Sequence, residues 1–109
     1  MQLIPLEDDQ KTISQLFRKA PYFAIIHDND TKIFKNIHKH SKSKEFLDYF
    51  FTLNVDSIIV KNLGYKTYKK LNTKVYFTNS NTIDEIDFNN LLEINDQNAK
   101  ELCTLGHKK

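Results

Sequence analysis

The sequence predicts an α/β domain in which a mixed five-stranded sheet is flanked by helices, in the order β-β-β-α-β-α-β-α. Two apolar segments near the start are joined by a polar turn, and a wide apolar stripe at helical spacing follows at 43–54. The remaining segments alternate between strand and helix patterns. Early hairpin strands followed by alternating helices and strands are typical of a mixed sheet covered by helices, rather than a doubly wound parallel sheet.

The first half of the chain predicts three strands, the last two paired as a β-hairpin: residues 1–6, 22–28 and 32–38. Pro5 belongs near the end or edge of its strand, because proline cannot donate a backbone hydrogen bond. Residues 7–10 form a polar turn. We expect a loop with room for one helical turn over 12–20, closed by Pro21.

The second half predicts helices and strands in alternation: helices 43–54, 64–72 and 81–94 and strands 55–62 and 73–79. We expect Ser41 or Ser43 to cap the first helix. Asn81 or Thr82 should cap the third helix, with Glu85 completing a capping box.

Length and composition restrict the class of protein. The 109 residues fit one domain, 1–109, in which 95–109 is a C-terminal tail with one or two helical turns ended by Gly106. A mean hydropathy of -0.56, with no apolar run near the roughly 20 residues that a bilayer requires, excludes a membrane protein. The acidic start does not resemble a secretory signal, and the single cysteine, Cys103, can form no internal disulfide. We expect a cytoplasmic protein.

Charge is distributed unevenly along the chain. Residues 31–74 carry ten lysines and three acidic residues, a net charge of +7, whereas the whole chain has +2. Such a block can steer an anion toward one side of the domain, and the alternative is a solvated lysine-rich face. Nucleic-acid binding is disfavoured because the segment lacks the exposed aromatic platform that single strands stack on. Two glycines are too few for a phosphate-binding loop.

Two segments of the sequence carry a family resemblance. The first, ISQLFRKAPYFAII, is similar to S-x-H-F-G-R-A-x-Y-F-x-I and retains Ser14, Phe17, Ala20, Tyr22 and Phe23. The second, LNVDSIIVKNLGYKTYKKLNTKVYF, keeps in register Val55, Asp56, Gly64, Leu71, Val75 and Tyr76. From residue 1 to about residue 92, the chain resembles the NifX/NifB-type dinitrogenase iron-molybdenum cofactor biosynthesis family. That resemblance implies a ribonuclease H-like fold.

The resemblance also implies a function. It indicates a non-enzymatic carrier that binds an iron-sulfur or iron-molybdenum cluster, or its precursor, in metallocofactor assembly, with a cofactor-assembly protein as a candidate partner. This chain has Leu16 where the family has histidine, Arg18 for glycine and Lys19 for arginine, and HSKS at 40–43 for the family's H-G-x-G. The alternative is an interaction or adaptor module that kept the fold and lost cluster binding.

His38, His40 and Ser41 are the first candidates for holding a cluster or another anion. An H-x-H pair in a loop can direct two imidazoles at one ion, and the start of the following helix adds free N–H groups and partial positive charge. The alternative is a pair of solvent-exposed histidines in a polar loop.

Further candidates lie before and after this loop. Arg18 and Lys19 could contact an anion beside Ser14, or be ordinary surface charges. Cys103 and His107 are four residues apart, the spacing at which two metal ligands share one helix face. The alternative for Cys103 is burial, because free cysteine is among the most buried residue types.

The residues do not indicate an enzyme. A ribonuclease H-type nuclease holds two metal ions with carboxylates that project from the centre of the first strand. Here that strand reads QLIPL, and Glu7, Asp8 and Asp9 come only after its end. No catalytic residue is assigned.

Overall fold

A computed structural model describes residues 1–103 and shows a mixed α/β architecture. Within these residues one sheet has six strands in the order β3-β2-β1-β4-β5-β6. The elements, in chain order, are β1 Gln2–Leu6, β2 Tyr22–His27, β3 Asp30–Lys35, α1 Ser43–Thr52, β4 Ser57–Val60, α2 Tyr65–Leu71, β5 Lys74–Phe77, a 3₁₀ turn Ile83–Glu85, β6 Leu92–Ile94 and α3 Ala99–Leu102.

β1 lies inside the sheet and determines the direction of its neighbours. Leu3 pairs with Ile25 of the antiparallel β2 and with Ile58 of the parallel β4. β3 is antiparallel to β2, and β5 is parallel to β4. The carboxyl ends of β1, β3 and β4 therefore lie at the same edge of the sheet, which makes the loops that follow them neighbours.

The two faces of the sheet are covered differently. Side chains of all three helices in the described part of the chain pack on one face, the helix-covered face, whose core includes Leu3, Phe23, Phe46, Leu71 and Ala99. On the opposite, loop-covered face, a smaller cluster forms from strand residues and from two irregular segments: Ile4, Leu6, Ile13, Ala24, Ile59 and Ile86.

Most of the predicted elements are confirmed. The three early strands and their hairpin are present, as are the helix within 43–54, the helix within 64–72 and the strands on either side of α2. Asn72 ends α2 in the left-handed conformation, with φ 51° and ψ 37°. Residues 12–20 form a loop with one hydrogen-bonded turn, in which the Ala20 N–H donates to the Phe17 carbonyl at 3.4 Å.

The predicted helix over 81–94 is wrong. Thr82 is the N-cap, and the Glu85 carboxylate accepts its N–H at 3.1 Å, but only the 3₁₀ turn follows. The helical conformation ends at Ile86, which has φ -63° and ψ 126°. Asp87 then forms a different local turn, in which its Oδ1 accepts the Asn89 N–H and its carbonyl accepts the Asn90 N–H, both at 3.0 Å. Such local bonds compete with the helical pattern.

The end of that segment is a strand, so the prediction of five strands is also wrong. Leu92 pairs with Phe77 and Ile94 with Val75, which adds β6 antiparallel to β5. The exposed edge of β5 offers backbone hydrogen-bond partners that a helical pattern in the sequence does not reveal.

Two smaller predictions concern the N-cap of α1 and the C-terminal tail. Lys42, not Ser41 or Ser43, is the N-cap of α1, and its backbone N–H donates to Glu45 Oε1 at 3.1 Å. In the predicted tail, α3 is one short helical segment, and Gly106 lies outside the described residues. No helix in the described part of the chain has the length and apolar character to cross a bilayer.

Candidate functional site

Two loops meet beyond the shared carboxyl edge of β1 and β3. One comprises residues 12–21 after β1, and the other comprises residues 36–42 between β3 and α1. We call their meeting point the loop corner. It contains most of the residues that the sequence singles out, namely Ser14, Arg18, Lys19, His38, His40 and Ser41.

Asn36 joins the two loops, a role that the sequence does not reveal. Its buried side-chain amide donates to the carbonyls of Arg18 and Ala20, both at 2.9 Å. Its Oδ1 accepts the His38 N–H at 3.0 Å. One buried side chain therefore fixes three backbone groups, and both loops keep a defined position relative to each other.

Arg18 makes a second connection across the loop corner. Its half-buried guanidinium Nη1 donates to the Ser41 carbonyl at 3.0 Å, although the two residues are 23 positions apart. Guanidinium carries five N–H donors, so this single bond leaves others available to an anion. The structure thus brings Arg18 and Ser41 into direct contact.

The His38 ring is held on two sides. Its Nδ1 lies 2.9 Å from Ser41 Oγ, and its ring centroid lies 4.7 Å from that of Tyr49 in α1. Burial raises the pKa of the Tyr49 phenol above its usual value. When Nδ1 is the donor to Ser41, Nε2 carries a free lone pair that can bind a metal.

His40 is exposed, in contrast to His38. It lines an open cavity of about 570 Å³ together with Tyr22, Lys35, Lys39 and Ser41. The same cavity is lined by one carboxylate in the described residues, Asp8. Two lysines against one carboxylate give the lining of this cavity a positive charge, which favours an anionic ligand.

A second, smaller cavity lies on the other side of Arg18. It measures about 340 Å³ and is lined by Leu16, Phe17, Arg18, Lys19 and Leu63, among others. Leu63 belongs to the loop after β4, which ends at the same sheet edge as β1. Arg18 consequently contacts Ser41 in one cavity wall and lines the neighbouring cavity.

Ser14 is part of the loop framework. It is 1% exposed, its hydroxyl oxygen accepts the Leu16 N–H at 3.0 Å, and its own N–H donates to the Pro5 carbonyl at 2.9 Å. The structure therefore uses Ser14 to shape the backbone that presents Leu16 and Arg18.

Cys103 and the loop histidines are in different parts of the fold. Cys103 follows α3 and is 4% exposed in the core of the helix-covered face, and burial raises the pKa of its thiol. α3 packs beside α2 and follows the edge strand β6, whereas His38 and His40 follow the opposite edge strand β3. His107 lies outside the described residues.

A further histidine, His27, is placed away from the loop corner. It ends β2, and because β2 is antiparallel to β1, the carboxyl end of β2 lies at the other end of the strands from the loop corner. It is exposed, with Nε2 3.5 Å from Asp28 Oδ2.

Across residues 1–103, no group of three or more His, Cys, Asp or Glu side chains is placed to hold a metal ion. In the loop corner, Lys39 and His40 line the larger cavity, Arg18 and Lys19 line the smaller one, and His38 lines neither but contacts Ser41. This donor set suits an anion that needs positive charge and one or two nitrogen ligands.

Comparison with known proteins supplies a family and a structural neighbour. Residues 1–86 match the family model described as "Dinitrogenase iron-molybdenum cofactor". Among curated proteins none matches. The NMR structure of a candidate NifB protein from Thermotoga, of the DUF35 family, superposes with a TM-score of 0.59 at 22% identity, covering 77% of this chain and 80% of that one. At that identity, the similarity is evidence about the fold.

Proposed function

The chain belongs to the dinitrogenase iron-molybdenum cofactor family, and on that premise we propose that it is a cytoplasmic, non-enzymatic carrier. Its cargo is an iron-sulfur or iron-molybdenum cluster, or a precursor of one, in transit during metallocofactor assembly. The partner that exchanges this cargo is a cofactor-assembly protein.

The contact between Arg18 and Ser41 is the observation that carries this proposal. It brings the loop after β1 against the loop that holds His38 and His40, at 3.0 Å between Nη1 and the carbonyl oxygen. Metal-sulfur clusters with thiolate ligands are anionic, so a site with guanidinium, ammonium and imidazole groups attracts them.

Each residue of the loop corner has a separate task in this proposal. His40, exposed in the larger cavity, supplies the first nitrogen ligand. His38 does not line that cavity, but its Nδ1 contacts Ser41, which does, and its Nε2 is the candidate for a second ligand. Arg18, Lys19 and Lys39 balance the negative charge. Two imidazoles cannot complete the coordination of a cluster, so most of its ligands remain its own, as transfer to another protein requires.

The surroundings of β1 support a non-enzymatic role. The strand reads QLIPL and contains no carboxylate. Beyond its end, the Asp9 carboxylate accepts the Lys11 N–H, the Thr12 N–H and the Thr12 hydroxyl, at 2.9, 2.8 and 2.6 Å. Asp9 therefore shapes a turn instead of extending into a two-metal site of the nuclease kind.

We also propose that the sheet is ribonuclease H-like and that 1–109 is one domain with a tail from residue 95. Three antiparallel strands, β3-β2-β1, continued by the parallel β4 and β5, support this fold. β6 then extends the sheet at its far edge.

Anaerobic reconstitution with an iron-sulfur cluster tests the carrier function. We expect a visible absorption band in the wild-type protein that is weaker in His40→Ala and His38→Ala. His27→Ala is the matched control, because it removes an exposed histidine at the other end of the strands from the loop corner. No band in the wild-type protein, or equal loss in His27→Ala, would contradict the proposal.

The second candidate function is an adaptor module that retained the fold and lost the cargo. The exposure of two aliphatic side chains at this end of the sheet favours it: Leu16 is 57% exposed and Ile37 is 72% exposed. Metal analysis of protein purified without oxygen separates the candidates. Iron that falls in His40→Ala supports the carrier, and protein without iron supports the adaptor.

A further inference from the structure

We infer that the smaller cavity beside Arg18 is a docking groove for an acidic segment of a partner protein that inserts one apolar side chain. The residues that line this Leu16 groove include the apolar Leu16, Phe17 and Leu63 and the basic Arg18 and Lys19; the others are Gln15, Asn62, Gly64 and Thr67. The inference rests on the proposed function, because it identifies the kind of partner that exchanges cargo at the adjoining loop corner.

Leu16 is exposed by a defined backbone. Its N–H donates to the buried hydroxyl of Ser14 at 3.0 Å, and the neighbouring Phe17 is 4% exposed in the core. An isolated exposed leucine is common on protein surfaces. Here, however, Leu16 adjoins a cavity of about 340 Å³ whose lining includes Phe17 and Leu63. The groove can therefore accept a side chain from outside.

Two further lysines lie on α2 close in sequence to a residue that lines the groove. The lining residue Thr67 is preceded by Lys66 and followed one turn later by Lys70. Lys66 and Lys70 are at i and i+4, where like charges repel. Within residues 1–103, neither lysine forms a salt bridge.

The pattern of acidic residues makes this charge informative. The 14 acidic residues of the chain all lie outside 57–83, a segment with five lysines. A general enrichment in lysine would not account for the absence of aspartate and glutamate from this segment. In the structure, Glu93 and Asp96 line a separate cavity beside Tyr68 and Lys69, whereas the described lining of the Leu16 groove includes Arg18 and Lys19 and no acidic residue. Positive charge at the groove attracts a negatively charged partner and steers its approach.

A protein fits this surface better than a nucleic acid. Tyr65 and Tyr68 stack on each other, with centroids 6.4 Å apart, and Lys69 Nζ lies 5.4 Å from the Tyr65 centroid. Tyr68 also donates its hydroxyl to Asp96 at 3.0 Å. Both rings are half-buried and already engaged, whereas an apolar centre with a charged rim is typical of a protein interface.

The position of Arg18 connects docking with cargo. Its guanidinium contacts the Ser41 carbonyl of the loop corner, while the same residue lines the Leu16 groove. A partner segment in the groove would therefore lie next to the proposed cargo site, where transfer requires it.

The test uses a fluorescein-labelled peptide in which six Asp and Glu residues flank one central phenylalanine, followed by fluorescence anisotropy. We expect Leu16→Gln to weaken binding about tenfold, equivalent to the loss of one well-buried apolar contact. Lys66→Gln combined with Lys70→Gln should weaken it about as much and flatten its salt dependence. Lys32→Gln with Lys100→Gln, which removes two exposed charges from β3 and α3, is the matched control and should bind normally.

Four results would overturn the docking inference. The first two are no binding of the peptide and equal binding of a peptide that has serine in place of the phenylalanine. The other two are a loss of affinity in the control variant as large as in Lys66→Gln with Lys70→Gln, and tighter binding of a 20-nucleotide oligothymidine whose affinity Leu16→Gln leaves unchanged. The absorption band of the reconstituted cluster separates this inference from the proposed function. We expect Leu16→Gln to retain the band, and its loss would make Leu16 part of the cargo site. Peptide binding without any band in the wild-type protein would support docking and contradict the carrier.

Discussion

The helix-covered and loop-covered faces of the same sheet are stabilised in different ways. On the helix-covered face, aromatic rings from α1, β2 and the loop after β1 pack together, with centroids 5.3 Å apart for Phe17 and Phe46 and 6.0 Å apart for Phe23 and Phe46. On the loop-covered face, Ile13 and Ile86 cover Ile4 and Ile59 from irregular segments.

Backbone hydrogen bonds join those two irregular segments to each other. The Ile13 N–H donates to the Asn81 carbonyl and the Ile83 N–H to the Lys11 carbonyl, at 2.8 and 2.9 Å. Since burial of a large apolar side chain contributes more than a single hydrogen bond, stability should be concentrated on the helix-covered face. The loop corner at the sheet edge is an intermediate case, because its hydrogen bonds are buried or part-buried.

Phe46→Ala should have the largest effect of the variants considered. Phe46 is 0% exposed and contacts the rings of Phe17, Phe23 and Phe50, so the variant leaves a cavity and should lower the free energy of unfolding by about 3–5 kcal/mol. Urea denaturation measures this decrease in the free energy of unfolding. Phe51→Ala, on the same helix but 45% exposed, is the control and should cost less than about 1 kcal/mol. Similar losses in both would contradict the packing described.

Asn36→Ala tests whether buried hydrogen bonds make the loop corner nearly as important as the aromatic core. The variant leaves the carbonyls of Arg18 and Ala20 and the N–H of His38 without this partner. We expect a loss of about 2–3 kcal/mol in urea denaturation. Asn29→Ala, in the exposed turn between β2 and β3, should change stability by less than about 0.5 kcal/mol. An unchanged midpoint in Asn36→Ala would show that the two loops are not held by this residue.

Glu85→Ala should have a smaller effect, on the loop-covered face. The exposed Glu85 carboxylate accepts the N–H groups of Asn81 and Thr82, at 3.2 and 3.1 Å, next to the residues that cover Ile59. Its removal should cost about 1 kcal/mol. Glu85→Gln keeps an acceptor oxygen and should lose less. If the glutamine variant is the less stable of the two, the carboxylate does not act through these bonds.

The smallest expected effect is a pH dependence at Asp9. Hydrogen bonds from the Thr12 hydroxyl and the Thr12 and Lys11 N–H groups lower the pKa of Asp9 from 3.8 to about 2. Because the pKa is lower in the folded state, the ionised carboxylate contributes stability above about pH 4 and loses this contribution as the pH falls through about 2.

Asp9→Asn, which cannot titrate, provides the comparison for this pH dependence. The difference in urea midpoint between wild type and Asp9→Asn should be constant from pH 7 to about pH 4 and shrink toward about pH 2. A difference that grows on acidification would reverse the assigned sign.

Local patterns in the sequence were sufficient for several elements. The apolar stripe within 43–54 corresponds to α1, whose buried residues are Phe46, Leu47 and Phe50. The β-branched and aromatic residues of 22–28 correspond to β2, and the polar residues after it to a hairpin turn. These features depend on periodicity and turn chemistry within a few residues, which a sequence displays directly.

The candidate site was only partly predictable. His38, His40, Ser41 and Arg18 were singled out by residue type and resemblance, and the structure brings Arg18 and His38 to Ser41. Asn36 was missed as a site residue. Its role depends on carbonyls that are 16 and 18 residues away, and no local pattern specifies such partners.

The sequence by itself determined where most helices and strands form, because local periodicity controls which side chains can be buried together. The tertiary structure decided the rest. The segment at 92–94 became a strand because β5 offered an unpaired edge, despite a helical pattern and a helix-capping sequence before it. Cys103 became a core residue because α3 packs beside α2. Both outcomes depend on partners distant in the chain, and their energies appear only when the sheet is assembled.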